Sequence, residues 1–178
     1  GPQREGMPLN HPGEEVLAPD GHVDGALVMK ALDEALEGDV EIRELELIMC
    51  PPGVSLGEMI CSEETGAKVL GPKGCLVVQE DKLGVAYWCV PMLLKEAMQT
   101  FARLQRLPPD APSFETAMLR CSRTLILINA DFYSAWNQRK RLILSPTCPL
   151  TRHLEIRFLD LVLSKHPKSI EAWAHRRW

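Results

Sequence analysis

Apolar residues along this chain follow two kinds of spacing, and the change between them divides it. From Val23 to Glu37 they recur every three or four positions, with Val28, Leu32 and Leu36 on one stripe and Gly38 just beyond it. That period predicts an amphipathic helix closed by a glycine. The stretch 41–49 instead alternates charged and aliphatic residues around Ile42, Leu45 and Leu47, until Cys50-Pro-Pro-Gly53 stops it. Gly53, Gly57, Gly66, Gly71 and Gly74 then come among prolines. So much punctuation predicts a loop-rich segment, with one short extended piece over 76–79.

After Asp81-Lys-Leu-Gly84 the helical period returns in Tyr87, Val90, Leu94, Met98 and Phe101. Pro91 is tolerable there because it falls in the opening turn, where its missing N–H is not needed. Leu107-Pro-Pro-Asp-Ala-Pro112 ends that helix and marks the best boundary in the chain. Beyond it Phe114, Met118, Cys121, Leu125 and Ile128 share one helix face, and Phe132, Trp136 and Ile143 share the next. Leu154, Phe158, Leu161 and Val162 build a third helix, His166-Pro167 breaks it, and Ser169 can cap a fourth.

These last helices repeat. Residues 129–141, NADFYSAWNQRKR, lie over residues 166–178, HPKSIEAWAHRRW, without a gap at an offset of 37 residues. Ala135 falls on Ala172, Trp136 on Trp173, Arg139 on Arg176 and Lys140 on Arg177. A period between about 20 and 50 residues is the signature of a solenoid, whose helical pairs bury their apolar faces only by stacking. The prediction is an all-α superhelix of helical hairpins: residues 1–22 without order, 23–112 as N-terminal helices and a loop-rich segment, and 113–178 as the repeats. Solenoids generally need about three repeats, and the second one here is cut short, so the chain is expected to be a fragment of something longer.

Composition narrows the setting. At 46% hydrophobic and 25% charged, the 178 residues suit a folded domain. No uncharged apolar run reaches the roughly 20 residues of a spanning helix, and the acidic N-terminus lacks the basic and apolar regions of a secretion signal. A cytoplasmic protein with no transmembrane segment is therefore expected. The six cysteines are scattered, none at structural-zinc spacing, which predicts reduced, mostly buried thiols. Charge changes the picture more. Residues 1–46 carry twelve acidic side chains against three basic ones, and residues 114–178 carry eleven basic against five acidic. A basic repeat surface would attract an anion or an acidic partner, although solvated helix faces are the commoner reason for such a density.

Two motifs bear on chemistry. Gly53-Val-Ser-Leu-Gly57 spells GxSxG, which makes a nucleophile only between a buried strand and a helix of an α/β sheet, and its surroundings predict no such sheet. A phosphate-binding GxxxxGK[ST] is absent, and no nucleic-acid partner is expected.

Trp-x-x-Arg at a 37-residue period, with Pro167-Lys168-Ser169 leading into the second copy, resembles the repeat of protein prenyltransferase alpha subunits. Asp81-Lys-Leu-Gly-Val-Ala-Tyr-Trp-Cys89 and the His175-Arg-Arg-Trp178 end resemble one branch of that family. The resemblance covers roughly residues 25–178 and implies a heterodimer, in which a crescent of helical hairpins embraces a beta subunit. That partner holds the catalytic zinc, so no cofactor is expected on this chain. The implied beta subunit is the one shared with Rab geranylgeranyltransferase. The implied substrates are an isoprenoid diphosphate and a protein with a cysteine near its C-terminus, which receives a geranylgeranyl group.

By the family motif Lys168 is the catalytic candidate, an ammonium beside the leaving diphosphate, where a fixed cation stabilises developing negative charge. Arg176 and Arg177 are substrate-binding candidates through their positive potential. The family has a tyrosine where this chain has Ile170, so one hydroxyl donor is missing. Trp136 and Trp173 read as core wedges, and Arg139 and Arg176 as inter-helix hydrogen-bonding groups. The alternative reading is a non-catalytic helical-repeat interaction scaffold.

Overall fold

The computed structural model describes residues 23–38, 40–60, 65–148 and 150–178. The expectation for residues 1–22, and Cys61 among the thiols, lie outside the described residues. Helix α1 (Gly25–Glu37) begins at Asp24, whose carboxylate accepts from the Ala26 N–H at 2.9 Å, and buries Val28, Ala31, Leu32 and Ala35. It stops at Gly38 as the pattern predicts, but in extended rather than left-handed backbone.

The next segment corrects the all-α expectation. Strands β1 (Glu44–Ile48), β2 (Lys68–Leu70), β3 (Leu76–Gln79) and β4 (Lys82–Ala86) form a four-stranded mixed sheet in the order β1-β4-β3-β2, with β1 parallel to β4 and the other pairs antiparallel. Leu45 pairs with Leu83 and Leu76 with Val85, all four buried. The alternation around Leu45 is thus a half-buried strand, and the piece at 76–79 is β3. Residues 82–86 continue the sheet instead of opening a helix. Gly84 fits there because Ile48 Cδ1 and Val77 Cγ1 lie 2.5 and 2.8 Å from where its Cβ would be.

Helix α2 (Leu56–Met59) is one turn between the first two strands. A 3-10 turn at Tyr87–Cys89 leads into α3 (Val90–Leu104), which has Pro91 in its first turn as anticipated. Helices α4 (Phe114–Ile128), α5 (Tyr133–Ile143), α6 (Arg152–Lys165) and α7 (Ile170–Arg177) are the two hairpins of the repeat. Helix α3 packs along α4, α1 lies against α3, and α6 lies against β1, where the Leu45 N–H donates to Ser164 Oγ at 3.4 Å. One hydrophobic cluster runs from Val23 to Ala172, so sheet and repeats share a core. The buried thiols are Cys75, Cys89 and Cys121, with Cys50 and Cys148 half-buried. Burial pushes the Cys121 thiol up to about 12, which makes it unreactive.

The charge gradient is also resolved inside the chain. Arg120 forks onto Glu37 at 3.1 and 2.8 Å, Arg123 bridges Asp33 at 2.5 Å and Glu37 at 3.0 Å, and Arg157 meets Glu41 at 2.9 Å. Arg120 and Arg157 occupy one repeat position, 37 residues apart. Helices α4 and α6 therefore hold Asp33, Glu37 and Glu41 through their arginines.

Candidate functional site

The turn between α6 and α7 carries the candidate lysine and is fixed by its neighbours. Ser169 caps α7: its hydroxyl accepts from the Ala172 N–H at 3.1 Å and donates to Asp131 at 2.7 Å, with the Ala130 carbonyl alongside at 3.1 Å. Asp131 also accepts from the Glu171 N–H at 3.3 Å, and these bonds hold its carboxyl below the usual range, the one from Ser169 most. His166 Nε2 sits 2.8 Å from the Leu127 carbonyl. The preceding repeat thus clamps the turn at both ends. Lys168 projects from it, exposed, and among the described residues no carboxylate lies within ion-pair distance of it.

Arg176 and Arg177 lie at the other end of α7. Eight helical residues rise about 12 Å, so the structure does not bring these arginines to Lys168. Arg176 pairs with Asp160 of α6 at 2.5 Å, and its guanidinium carbon is 6.0 Å from the Trp173 ring centroid. Arg177 is exposed. At a helix C-terminus both charges are favoured by the dipole, which accounts for their placement without a ligand. Ile170, the departure from the family pattern, is 76% exposed.

The buried polar centre lies one repeat back. Arg139 Nε donates to Glu155 Oε1 at 2.9 Å, and its second guanidinium nitrogen donates to Oε2 in the parallel arm of a fork. The remaining nitrogen reaches the Leu119 carbonyl at 3.1 Å and Ser122 Oγ at 3.2 Å. His175 Nε2 is 2.8 Å from Glu155 Oε1, its ring 4.5 Å from that of Trp136. Burial pushes the Glu155 carboxyl up, but Arg139 and His175 outweigh it and hold the carboxyl at about 2. One ion pair thus joins α4, α5, α6 and α7. It is a structural device, in keeping with the inter-helix role expected of Arg139, and His175 Nδ1 is buried there without a hydrogen-bond partner among the described residues.

The two repeat tryptophans have diverged. Trp136 donates from Nε1 to the Ala130 carbonyl at 2.7 Å, and Trp173 to the Pro167 carbonyl at 2.9 Å, the same bond one repeat on. Trp136 is 1% exposed and packs against Phe158; Trp173 is 43% exposed. The core-wedge expectation holds for the first and is corrected for the second, because no described helix lies over Trp173 as α6 lies over Trp136.

GxSxG serves structure. Ser55 Oγ accepts from the Gly57 N–H at 3.2 Å as the cap of α2, and no described histidine comes within hydrogen-bond distance of it. A cleft of about 650 Å³ between the end of α1 and α6 is lined by Val40, Ile42, Leu154 and Phe158 with Arg123, Arg139 and Arg157. Each of those arginines is already engaged by a carboxylate, so among the described residues the cleft offers an anion no cation without a carboxylate partner.

Comparison with known proteins agrees with this geometry. Residues 116–145 and 153–178 match the model of the protein prenyltransferase alpha subunit repeat, the two hairpins built around Trp136 and Trp173. Protein prenyltransferase alpha subunit repeat-containing protein 1 of Homo sapiens is 36% identical over 155 residues, covering 85% of this chain and 33% of that protein. The Danio rerio protein of the same name is 33% identical over 155 residues, 85% of this chain and 31% of its own length. Form 1-B from Xenopus laevis is 32% identical over 151 residues, 85% and 30%. The chain spans about a third of these relatives. With the Trp-x-x-Arg hairpin seen in both matched segments and the likeness running through the sheet as well, the chain carries two segments that match the protein prenyltransferase alpha subunit repeat and is similar to these repeat-containing proteins over 85% of its length.

Proposed function

We propose that the chain forms part of the alpha-type subunit of a heterodimeric protein geranylgeranyltransferase, transferring the isoprenoid from its diphosphate to a cysteine of a protein substrate. The observation that carries this reading is Lys168, an exposed ammonium on a turn clamped by Ser169, Asp131 and His166. A cation held by its backbone rather than by a carboxylate is available to an incoming anion. As the carbon–oxygen bond to diphosphate breaks, Lys168 Nζ stabilises the charge gathering on the leaving oxygens. Arg177 adds positive potential from the far end of α7, and Arg176 does so only if it leaves Asp160. Zinc held by a beta partner would supply the thiolate.

The test is Lys168→Ala in the full-length protein co-expressed with the beta subunit of Rab geranylgeranyltransferase. Turnover is expected to fall by about 10²-fold while the complex elutes intact; unchanged turnover sinks the assignment. A non-catalytic scaffold is the second reading, favoured by Ile170 at the family's tyrosine position. Failure of the full-length protein to co-purify with that beta subunit would decide for the scaffold.

A further inference from the structure

Ser145 is the one serine or threonine of the 178 residues that is followed by proline, and it stands in the turn that joins the two hairpins. Leu144 is 74% exposed, Pro146 and Thr147 are exposed, and Ser145 is half-buried. A proline disfavours helical backbone at the residue before it, so the hydroxyl is presented on irregular chain just past the end of α5. That hydroxyl ties the turn to another helix. Ser145 Oγ donates to Glu115 Oε1 at 2.6 Å, Thr147 Oγ1 donates to the same oxygen at 2.8 Å, and the two hydroxyl oxygens are 2.9 Å apart. Glu115 lies in the first turn of α4, whose cap residue Ser113 sits in left-handed backbone at φ 61° and offers no side-chain bond. A helix start without its own cap is thus held from outside, by two hydroxyls on one carboxylate.

We propose that Ser145 is a phosphorylation site for a proline-directed protein kinase, and that the phosphoryl group unfastens the turn between the hairpins from the start of α4. The co-substrate is ATP. Ser145 Oγ attacks its γ-phosphorus; an oxygen–phosphorus bond forms, the bond from that phosphorus to the β–γ bridging oxygen breaks, ADP leaves with the electron pair, and the hydroxyl proton passes to the kinase's base. The product has lost the proton that bonded Glu115 and carries about −1.5 to −2 charges at pH 7, beside a carboxylate oxygen that stood 2.6 Å from the hydroxyl. Like charges so placed separate. The C-terminal end of α5 opposes the anion as well, being the negative end of its helix dipole. The positive end of α4 would favour an anion, but Glu115 already holds that place. Lys168 lies beyond the far end of α6, whose 14 residues rise about 21 Å, so failure here would leave the test of that lysine untouched.

The experiment incubates the folded full-length protein with ATP and a purified proline-directed kinase, of the mitogen-activated or cyclin-dependent class, and maps phosphate by mass spectrometry. Phosphate is expected on Ser145, and should be absent there in Pro146→Ala, which keeps the hydroxyl and removes the proline. Backbone hydrogen exchange over 114–118 should then quicken at least about tenfold in the phosphorylated protein, while the amides of Leu125 and Trp136 stay as they were and report an intact fold. In Glu115→Gln, whose carboxamide donates to a phosphate instead of repelling it, phosphorylation should leave exchange over 114–118 unchanged. No phosphate on Ser145 of the folded protein, whether or not a peptide of residues 139–151 accepts it, overturns the proposal. So does a phosphate that leaves that exchange unaltered, or quickens it equally in Glu115→Gln. Should that variant misfold, the unsubstituted protein is compared at low and high salt: a smaller acceleration in salt supports the repulsion, and an equal one overturns it.

Discussion

Without Arg139, Glu155 would remain 5% exposed with its fork gone and His175 its one partner among the described residues, and a buried carboxylate stripped of its guanidinium is among the costlier defects a core can carry. Arg139→Ala is therefore expected to destabilise the chain by about 3–5 kcal/mol. Arg176→Ala, the same change one repeat on but at the surface, should cost less than about 1 kcal/mol; urea titrations of the two variants compare them directly. Acid tests the same centre. Glu155 sits at about 2 in the folded chain against an ordinary 4.5, so the folded state binds fewer protons than the unfolded one. Its stabilisation is complete above about pH 4.5 and is lost as pH falls toward 2, by about 3 kcal/mol. Urea midpoints measured from pH 5 to pH 2 should drop along that limb, and Glu155→Gln should flatten it; an unaltered slope would show that the acid sensitivity lies elsewhere. The sequence marks Arg139 through the repeat, but its partner less openly. Glu155 stands three residues before Phe158 and seven before Val162, on an apolar stripe, and an acidic residue on such a stripe is the signal that could have found it.

Among the elements, the helices were legible because their information is local. Stripes at three-to-four-residue spacing place α1, α3, α4, α5 and α6 to within a few residues, and Ser169 announces α7. The sheet was not, because its information is spread over distance. Strand β2 has three residues, β4 carries a glycine at its centre, and the parallel pairing of β1 with β4 joins Glu44 to Lys82 across the whole intervening segment. Reading that stretch as loop-rich with one extended piece over 76–79 finds β3 and misses α2, β2 and the pairing. The glycines also set how closely elements approach. A Cβ at Gly25 would lie 2.5 Å from the Met92 carbonyl oxygen and 3.0 Å from Glu96 Cβ, where α1 meets α3. Main chain cannot yield as a side-chain end does, so Gly25→Ala should destabilise by about 1–3 kcal/mol despite the better helix propensity of alanine. At Gly84 the nearest atom is the tip of Ile48, which can rotate away, and Gly84→Ala should cost less. Thermal unfolding of both variants ranks them, and the reverse order would contradict the packing described.

For the molecule as a whole the question is whether the sheet-bearing N-terminal part and the repeats are two bodies bridged by charge or one body. The ion pairs alone would make a weak joint: Arg120 and Glu37 are 46% and 41% exposed, and Arg157 and Glu41 similarly open, so each contributes at most about 1 kcal/mol and less in salt. Among the described residues, Arg123 with Asp33, at 17% and 12%, is the one pair set into the joint. The apolar contact is different in kind. Leu32, Leu93, Ala97, Met118, Cys121 and Leu125, from α1, α3 and α4, are almost wholly buried in one cluster that also takes in Leu83 of the sheet and Trp136 of the repeats. Burial on that scale dominates, at about 25 cal/mol per Å² of apolar surface, and it ties the parts into a single cooperative unit. Hydrogen exchange followed with denaturant should then show the amides of Leu83 and Val85 in β4 and those of Leu125 and Trp136 opening with a common dependence, at low and at high salt alike. If the β4 amides opened first, and earlier still in salt, the joint would be electrostatic, and the acidic segment would be a detachable cover over the basic faces of α4 and α6.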